Sequence, residues 1–268
     1  APLVRLVEAT GAAYLDDRTT VCFPSLHPQN LNGDKEVRKL ADIIVAIDVQ
    51  DLTLATKGYG VGRSSIMGTG AGAATARVVD VSLNDYFGNS WSRFGGPTPP
   101  LDDQILADPL IALEALADAV ERIGGEAARI ALRKAQLAAR QEVIREGQAE
   151  ALARRLDETP ISMETLTHEV YQAVKNENWR LVVRNHRTWR DGYFPFSGAG
   201  DYLGGDGGGG VGYGPGAAAG AALALKDSGV LPVAMLGDGD FMMAPGAIWS
   251  AAHMGAPLLM VILNNHSW

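Results

Sequence analysis

The sequence predicts an α/β protein, with parallel sheets flanked by helices and two domains. Three observations carry that prediction. Short apolar runs rich in β-branched residues, such as Ile43–Asp48 and Leu258–Leu263, recur between helix-length segments. These runs are apolar at successive positions, as strands buried on both faces require. Pro97, Pro99 and Pro100 then interrupt the alternation and separate one such region from the next.

In chain order, Leu3–Thr10 reads as a helix, Ile43–Asp48 as a strand introduced by Ala41-Asp42, and Arg77–Val81 as a second strand. Residues 1–98 form the expected central α/β domain, incomplete at its N-terminus. Residues 99–158 are expected to be a helical linker. Asp108-Pro109 has the chemistry of a helix start, Asp as N-cap and Pro at the first helical position. Leu110, Leu113, Ala117 and Val120 are expected to form its apolar face. From Glu126 to Leu156 the chain is Ala-rich and charged, with apolar residues at Ile130, Leu137 and Ile144. So few heptads do not sustain a coiled coil, and the segment reads as a solvated connection packed on one side.

Residues 159–268 form the second expected domain, incomplete at its C-terminus. Thr165–Val174 reads as a helix, Leu181–Val183 as a strand and Gly216–Lys226 as an Ala-rich helix. Val233–Leu236 is a strand, Ala247–Met254 a helix stopped by Gly255, and Leu258–Leu263 the last strand.

Composition narrows the function classes. The chain has 268 residues, 47% of them hydrophobic, which supports a real core. A net charge of −8 with dispersed Lys and Arg gives no electrostatic basis for binding nucleic acid. No apolar run reaches the roughly 20 residues of a membrane span. The lone Cys22 excludes an internal disulfide, fits a cytoplasmic location and reads as a small core residue.

The chemistry concentrates in Gly237-Asp238-Gly239-Asp240-Phe241 and Asn264-Asn265. Asp238 and Asn265 each follow a buried strand and are 27 positions apart, the room for a loop, a short helix and a return strand. In such a strand–helix–strand unit, ligands gather beyond the carboxyl ends of the strands. A carboxylate and an amide oxygen meeting there are hard ligands suited to Mg2+, which is commonly shared with phosphate. Gly237 and Gly239 permit a tight backbone path, and the amides after Gly239 open a helix towards phosphate oxygens.

Gly-Asp-Gly followed under thirty residues later by Asn-Asn resembles the diphosphate motif of thiamine diphosphate enzymes, nearest the acetolactate synthase and benzoylformate decarboxylase group. Gly209-Gly210-Val211-Gly212-Tyr213-Gly214 is similar to the glycine turn that lies beneath the cofactor in that family. By this resemblance Asp238, the Asn265 side chain and the Ser267 carbonyl bind Mg2+, while Gly237, Gly239 and Asp240 touch the diphosphate. Gly210, Val211 and Gly212 support the cofactor, with Val211 as the apolar wedge that bends it. Pro215-Gly216 departs from the family's apolar-Pro pair in this turn. Asn185 and His186 fall where the family meets the outer phosphate.

The resemblance implies decarboxylation of a small-molecule 2-oxo acid, with release of an aldehyde or carboligation to an acyloin such as acetolactate. It also implies a homodimer or homotetramer. FAD belongs to true acetolactate synthases, but no residue here supports it. The family's N-terminal domain and its activating glutamate are expected to be missing, so no catalytic residue is assigned and the chain reads as a fragment. The alternative is a non-catalytic thiamine diphosphate-binding subunit that needs a partner chain.

Other features receive structural readings. Gly207-x-Gly209-x-x-Gly212 matches a dinucleotide fingerprint by accident, since no strand runs into it. The glycines between Gly58 and Gly72 lack a Gly-Lys-Ser/Thr signature and read as a surface loop. Trp249, Met242 and Met243 are expected in the core.

Overall fold

The structure, a computed structural model, describes residues 1–16, 21–32, 34, 36–49, 52, 76–83, 101–184, 192–204 and 210–265. It is an α/β fold of parallel sheets flanked by helices. The chain divides into two compact units, Ala1–Asp17 with Pro28–Glu142, and Arg18–His27 with Val143–Trp268. The glycine-rich stretch between Gly58 and Gly72 lies outside the described residues.

In the first unit, helix α1 (Pro2–Thr10) precedes strands β1 (Ile43–Ile47), β2 (Arg77–Ser82) and β3 (Asp103–Leu106). The strands form a parallel sheet in the order β1-β2-β3, and Val78 and Val81 of the middle strand are fully buried. Strand β3 lies within the stretch expected to be helical. All four of its residues are exposed, so it has no buried run to mark it, and its strand state comes from pairing with β2.

Helix α2 (Pro109–Ile123) begins as its capping chemistry predicts. The Asp108 carboxylate accepts from the N–H of Leu110 at 2.9 Å and of Ile111 at 3.1 Å, satisfying two of the orphan donors at a helix start. Its buried positions are Ala112 and Ala117, whereas Leu110 is exposed, a correction to the expected face. Small residues at the buried positions suit the close packing of α1 against α2. Helix α3 (Ala127–Arg155) is a single long helix in which only Gln141 is buried. Ile130, Leu137 and Ile144 are half-buried along one side, which agrees with a helix packed on one face.

The second unit contains α4 (Met163–Val174), β4 (Trp179–Val183), α5 (Tyr213–Ala224) and β5 (Leu231–Gly237). The short α6 (Asp238–Met243), α7 (Gly246–His253) and β6 (Leu259–Leu263) follow. Strands β4, β5 and β6 form a parallel sheet in that order. Beside β4, Leu181 donates to the Asp201 carbonyl at 2.8 Å and accepts from the Leu203 N–H at 3.0 Å.

Both faces of this sheet are covered. Val233 and Met235 join Val170 and Val174 of α4, Phe194, Phe196 and Tyr202 on one face. Ala234 and Leu236, the alternate residues of β5, pack with Ala218 of α5 on the other. A one-residue bulge in β4 pairs Leu181 with Val233 but Val183 with Ala234. Val182 and Val183 therefore both join the α5 face. Among the described residues, no helix is long and apolar enough to cross a membrane.

Two smaller expectations are corrected. Cys22 is exposed, between buried Val21 and Phe23. Trp249, Met242 and Met243 are exposed, since the short α6 and α7 bury only Ala251 between them.

Candidate functional site

Strand β5 carries the buried run Pro232–Leu236 and ends at Gly237, the N-cap of α6. Asp238 is thus the first residue of that helix, at the carboxyl edge of the sheet. Its carboxylate accepts from the Gly239 N–H at 3.0 Å. Strand β6 is the parallel neighbour of β5, and the last pair in their register is Gly237 with Leu263. Asn264 and Asn265 leave the sheet beside Asp238, one strand over, and both are exposed. Parallel neighbours are about 4.8 Å apart, so the two ends share one edge.

The glycine turn meets the same helix. Gly212 is the N-cap of α5, with φ of 97°, a left-handed conformation that side chains disfavour. Its N–H donates to the Asp240 carboxylate at 2.5 Å. A β-carbon on Gly212 would lie 2.9 Å from the Met243 β-carbon. One on Gly214 would overlap the Asp240 carboxylate and approach Leu236 Cδ2 to 2.9 Å. Pro215 is buried in the first turn of α5, where its missing N–H removes a donor that has no intrahelical partner. That is how the helix accommodates the departure at Pro215-Gly216. Val211 stands on the outside of the turn, 61% exposed.

The structure therefore brings Gly212, Gly237, Asp238, Gly239 and Asp240 into one neighbourhood, with Gly210 and Val211 on the adjoining turn. Asn265 follows the end of the neighbouring strand by two residues. Asn185, His186 and Ser267 lie outside the described residues. Among the described residues, no group of three His, Cys, Asp or Glu side chains could hold a metal. The expected donors are one carboxylate, one amide and one backbone carbonyl, so Asp238 is the single member of those four residue types. A carboxylate, an amide oxygen and a backbone carbonyl are hard oxygen donors, the chemistry that Mg2+ takes.

One charged residue at this edge carried no motif. Arg184 follows β4 directly, is only 5% exposed, and places its guanidinium 4.6 Å from the centre of the Tyr202 ring. The bulge decides this placement: with Val183 opposite Ala234, Arg184 takes the face of Leu181 and Tyr202. Tyr202 is buried in the aromatic core.

Residues 183–268 match the family model described as thiamine pyrophosphate enzyme, C-terminal TPP binding domain. Among solved structures, the chain resembles the Rhodococcus jostii RHA1 thiamine diphosphate-dependent 4-hydroxybenzoylformate decarboxylase, with a TM-score of 0.62 and 19% identity. The alignment covers 98% of this chain and 45% of that one, so the chain spans less than half of that enzyme's length. No curated relative matches the sequence. Residues 183–268 thus match the cofactor-binding domain of thiamine pyrophosphate enzymes, within a chain that shares the fold of one such enzyme.

Proposed function

We propose that this chain supplies the diphosphate- and Mg2+-binding part of a thiamine diphosphate-dependent enzyme that decarboxylates or ligates 2-oxo acids. The observation that carries the reading is the shared edge of Asp238 and Asn265 at the ends of neighbouring parallel strands, beside the glycine turn docked on Asp240. The solved structure that shares the fold is named for 4-hydroxybenzoylformate, itself a 2-oxo acid. The resemblance of Gly237–Asn265 to the motif of the acetolactate synthase and benzoylformate decarboxylase group favours that group within the family.

In this reading residues 1–98 are the central domain, 99–158 the linker and 159–268 the cofactor domain. Asp238, the Asn265 side chain and the Ser267 carbonyl hold Mg2+. Gly239 and Asp240 touch the diphosphate, and Val211 presses on the cofactor from the glycine turn. The bound cofactor supplies the carbanion chemistry, while the chain binds it, orients it and excludes water. The enzyme works in the cytoplasm as a homodimer or homotetramer.

Calorimetric titration of the 268-residue chain with thiamine diphosphate, with and without Mg2+, tests the reading. Saturable binding that requires Mg2+ is expected. Binding that is absent, or indifferent to the metal, would remove it.

A further inference from the structure

Two carboxylates open helix α6, and the helix sends them in different directions. Residues two apart on a helix point about 200° from one another and do not share a face. Asp238 begins the helix directly after β5, where its carboxylate accepts from the Gly239 N–H, whereas Asp240 accepts from the N–H of Gly212. Met243, one turn beyond Asp240 and on its face, lies against Gly212. Gly214 brings its bare α-carbon against the Asp240 carboxylate, where a β-carbon would not fit. One face of α6 therefore grips the turn at both Gly212 and Gly214, the residues that bracket the start of α5.

From this geometry we infer that Asp240 is a positioning residue. Its carboxylate fixes the glycine turn to α6 and so sets the place of Val211 relative to Asp238. The inference rests on the proposed cofactor reading for what Val211 touches, but not for the grip itself. It assigns the Asp240 side chain to the turn, where the family resemblance implied that the residue touches the diphosphate. A carboxylate aimed at a diphosphate would repel it; aimed at an amide N–H, the same charge strengthens a hydrogen bond. Asp238 and Asp240 belong to one helical turn, so any group that orders Asp238 also orders the seat of Val211.

The test compares the wild-type chain with Asp240→Asn, Asp240→Ala and Gly214→Ala. Gly212 amide exchange and its proton chemical shift are measured without ligand, followed by Mg2+-dependent thiamine diphosphate binding. In Asp240→Ala, Gly212 should exchange roughly tenfold to a hundredfold faster, as loss of a charge-assisted hydrogen bond predicts. Its amide proton should move upfield, and cofactor affinity should fall about tenfold, the loss of one such bond. Asp240→Asn retains a neutral acceptor and should bring all three part of the way back to wild type. Gly214→Ala displaces the carboxylate with residue 240 intact and should reproduce the alanine variant, which separates the grip from a folding defect at position 240. Wild-type exchange in Asp240→Ala, or an Asn variant no better than Ala, would overturn the inference. So would faster exchange with unchanged cofactor affinity. If the wild-type chain binds no cofactor, the proposed function falls, and the exchange data alone decide whether Asp240 holds the turn.

Discussion

Gly237 pairs with Leu263 at the last step of the β5–β6 register, and every site residue that follows either strand takes its place from that pair. Asp238 and Asn265 lie beyond it on the same sheet edge. Asp238→Ala should weaken Mg2+-dependent thiamine diphosphate binding by more than the roughly 10–100-fold typical of losing an outer metal partner. Asn265→Ala should act in the same direction. Both variants should keep the wild-type circular dichroism spectrum, because neither side chain belongs to the buried core. Unchanged affinity in calorimetry would contradict the metal clamp.

Ala218 is fully buried where α5 lies on β5. Ala218→Leu should force the helix off the sheet and cost about 1–3 kcal/mol, as overpacking usually does. A urea titration followed by circular dichroism checks this, and a stability equal to wild type would show that α5 has slack against the sheet.

Asp80 lies buried in β2, and burial pushes its carboxyl pKa upward. The Ser82 hydroxyl, which donates to it at 3.2 Å, works against that shift, and the charge of Asp48 adds to it. A carboxyl whose folded pKa is raised binds its proton more tightly when folded. Its contribution to stability is then greatest below the unfolded value of about 4 and declines as pH rises to the folded value. Asp80→Asn should remove that decline. Urea midpoints compared at acidic and neutral pH should show the variant gaining on the wild type as pH rises.

Asp34 behaves in the opposite sense. Burial works against its charge, but Arg140 donates to it at 2.7 Å, and the N–H groups of Glu36 and Val37 donate at 2.8 and 3.1 Å. These hold its carboxyl below the usual range. The stabilisation is present above the unfolded pKa of about 4 and is lost as pH falls through the lowered folded value. Asp34→Ala should cost about 1–3 kcal/mol at neutral pH. The difference from wild type should shrink in strong acid, measured by denaturant unfolding at each pH.

Most elements were legible because their signals are local. The Asp108-Pro109 start of α2 depends on atoms within three residues, and the capping bonds form there. Strands β4 and β5 show as apolar runs because a parallel sheet covered on both faces buries successive residues, and β6 carries the same apolar run although its residues are only half-buried or exposed. The spacing of Asp238 and Asn265 was readable as room for a local return to the sheet, although the structure fills it with two short helices, α6 and α7, before β6. Strand β3 was not legible, since an exposed edge strand owes its state to hydrogen bonds with β2 and carries no apolar pattern.

Sequence alone determined the fold class and the order of most of these elements, through short-range periodicity and capping, while the glycine turn was singled out by its resemblance to a family motif. Only the tertiary structure decided which way the side chains at that edge face. The β4 bulge turned Arg184 onto Tyr202, and the packing of α5 against α6 gave the Asp240 carboxylate to Gly212. Both outcomes depend on contacts between segments distant in the chain, where a shift of one residue in pairing exchanges one face of a strand for the other.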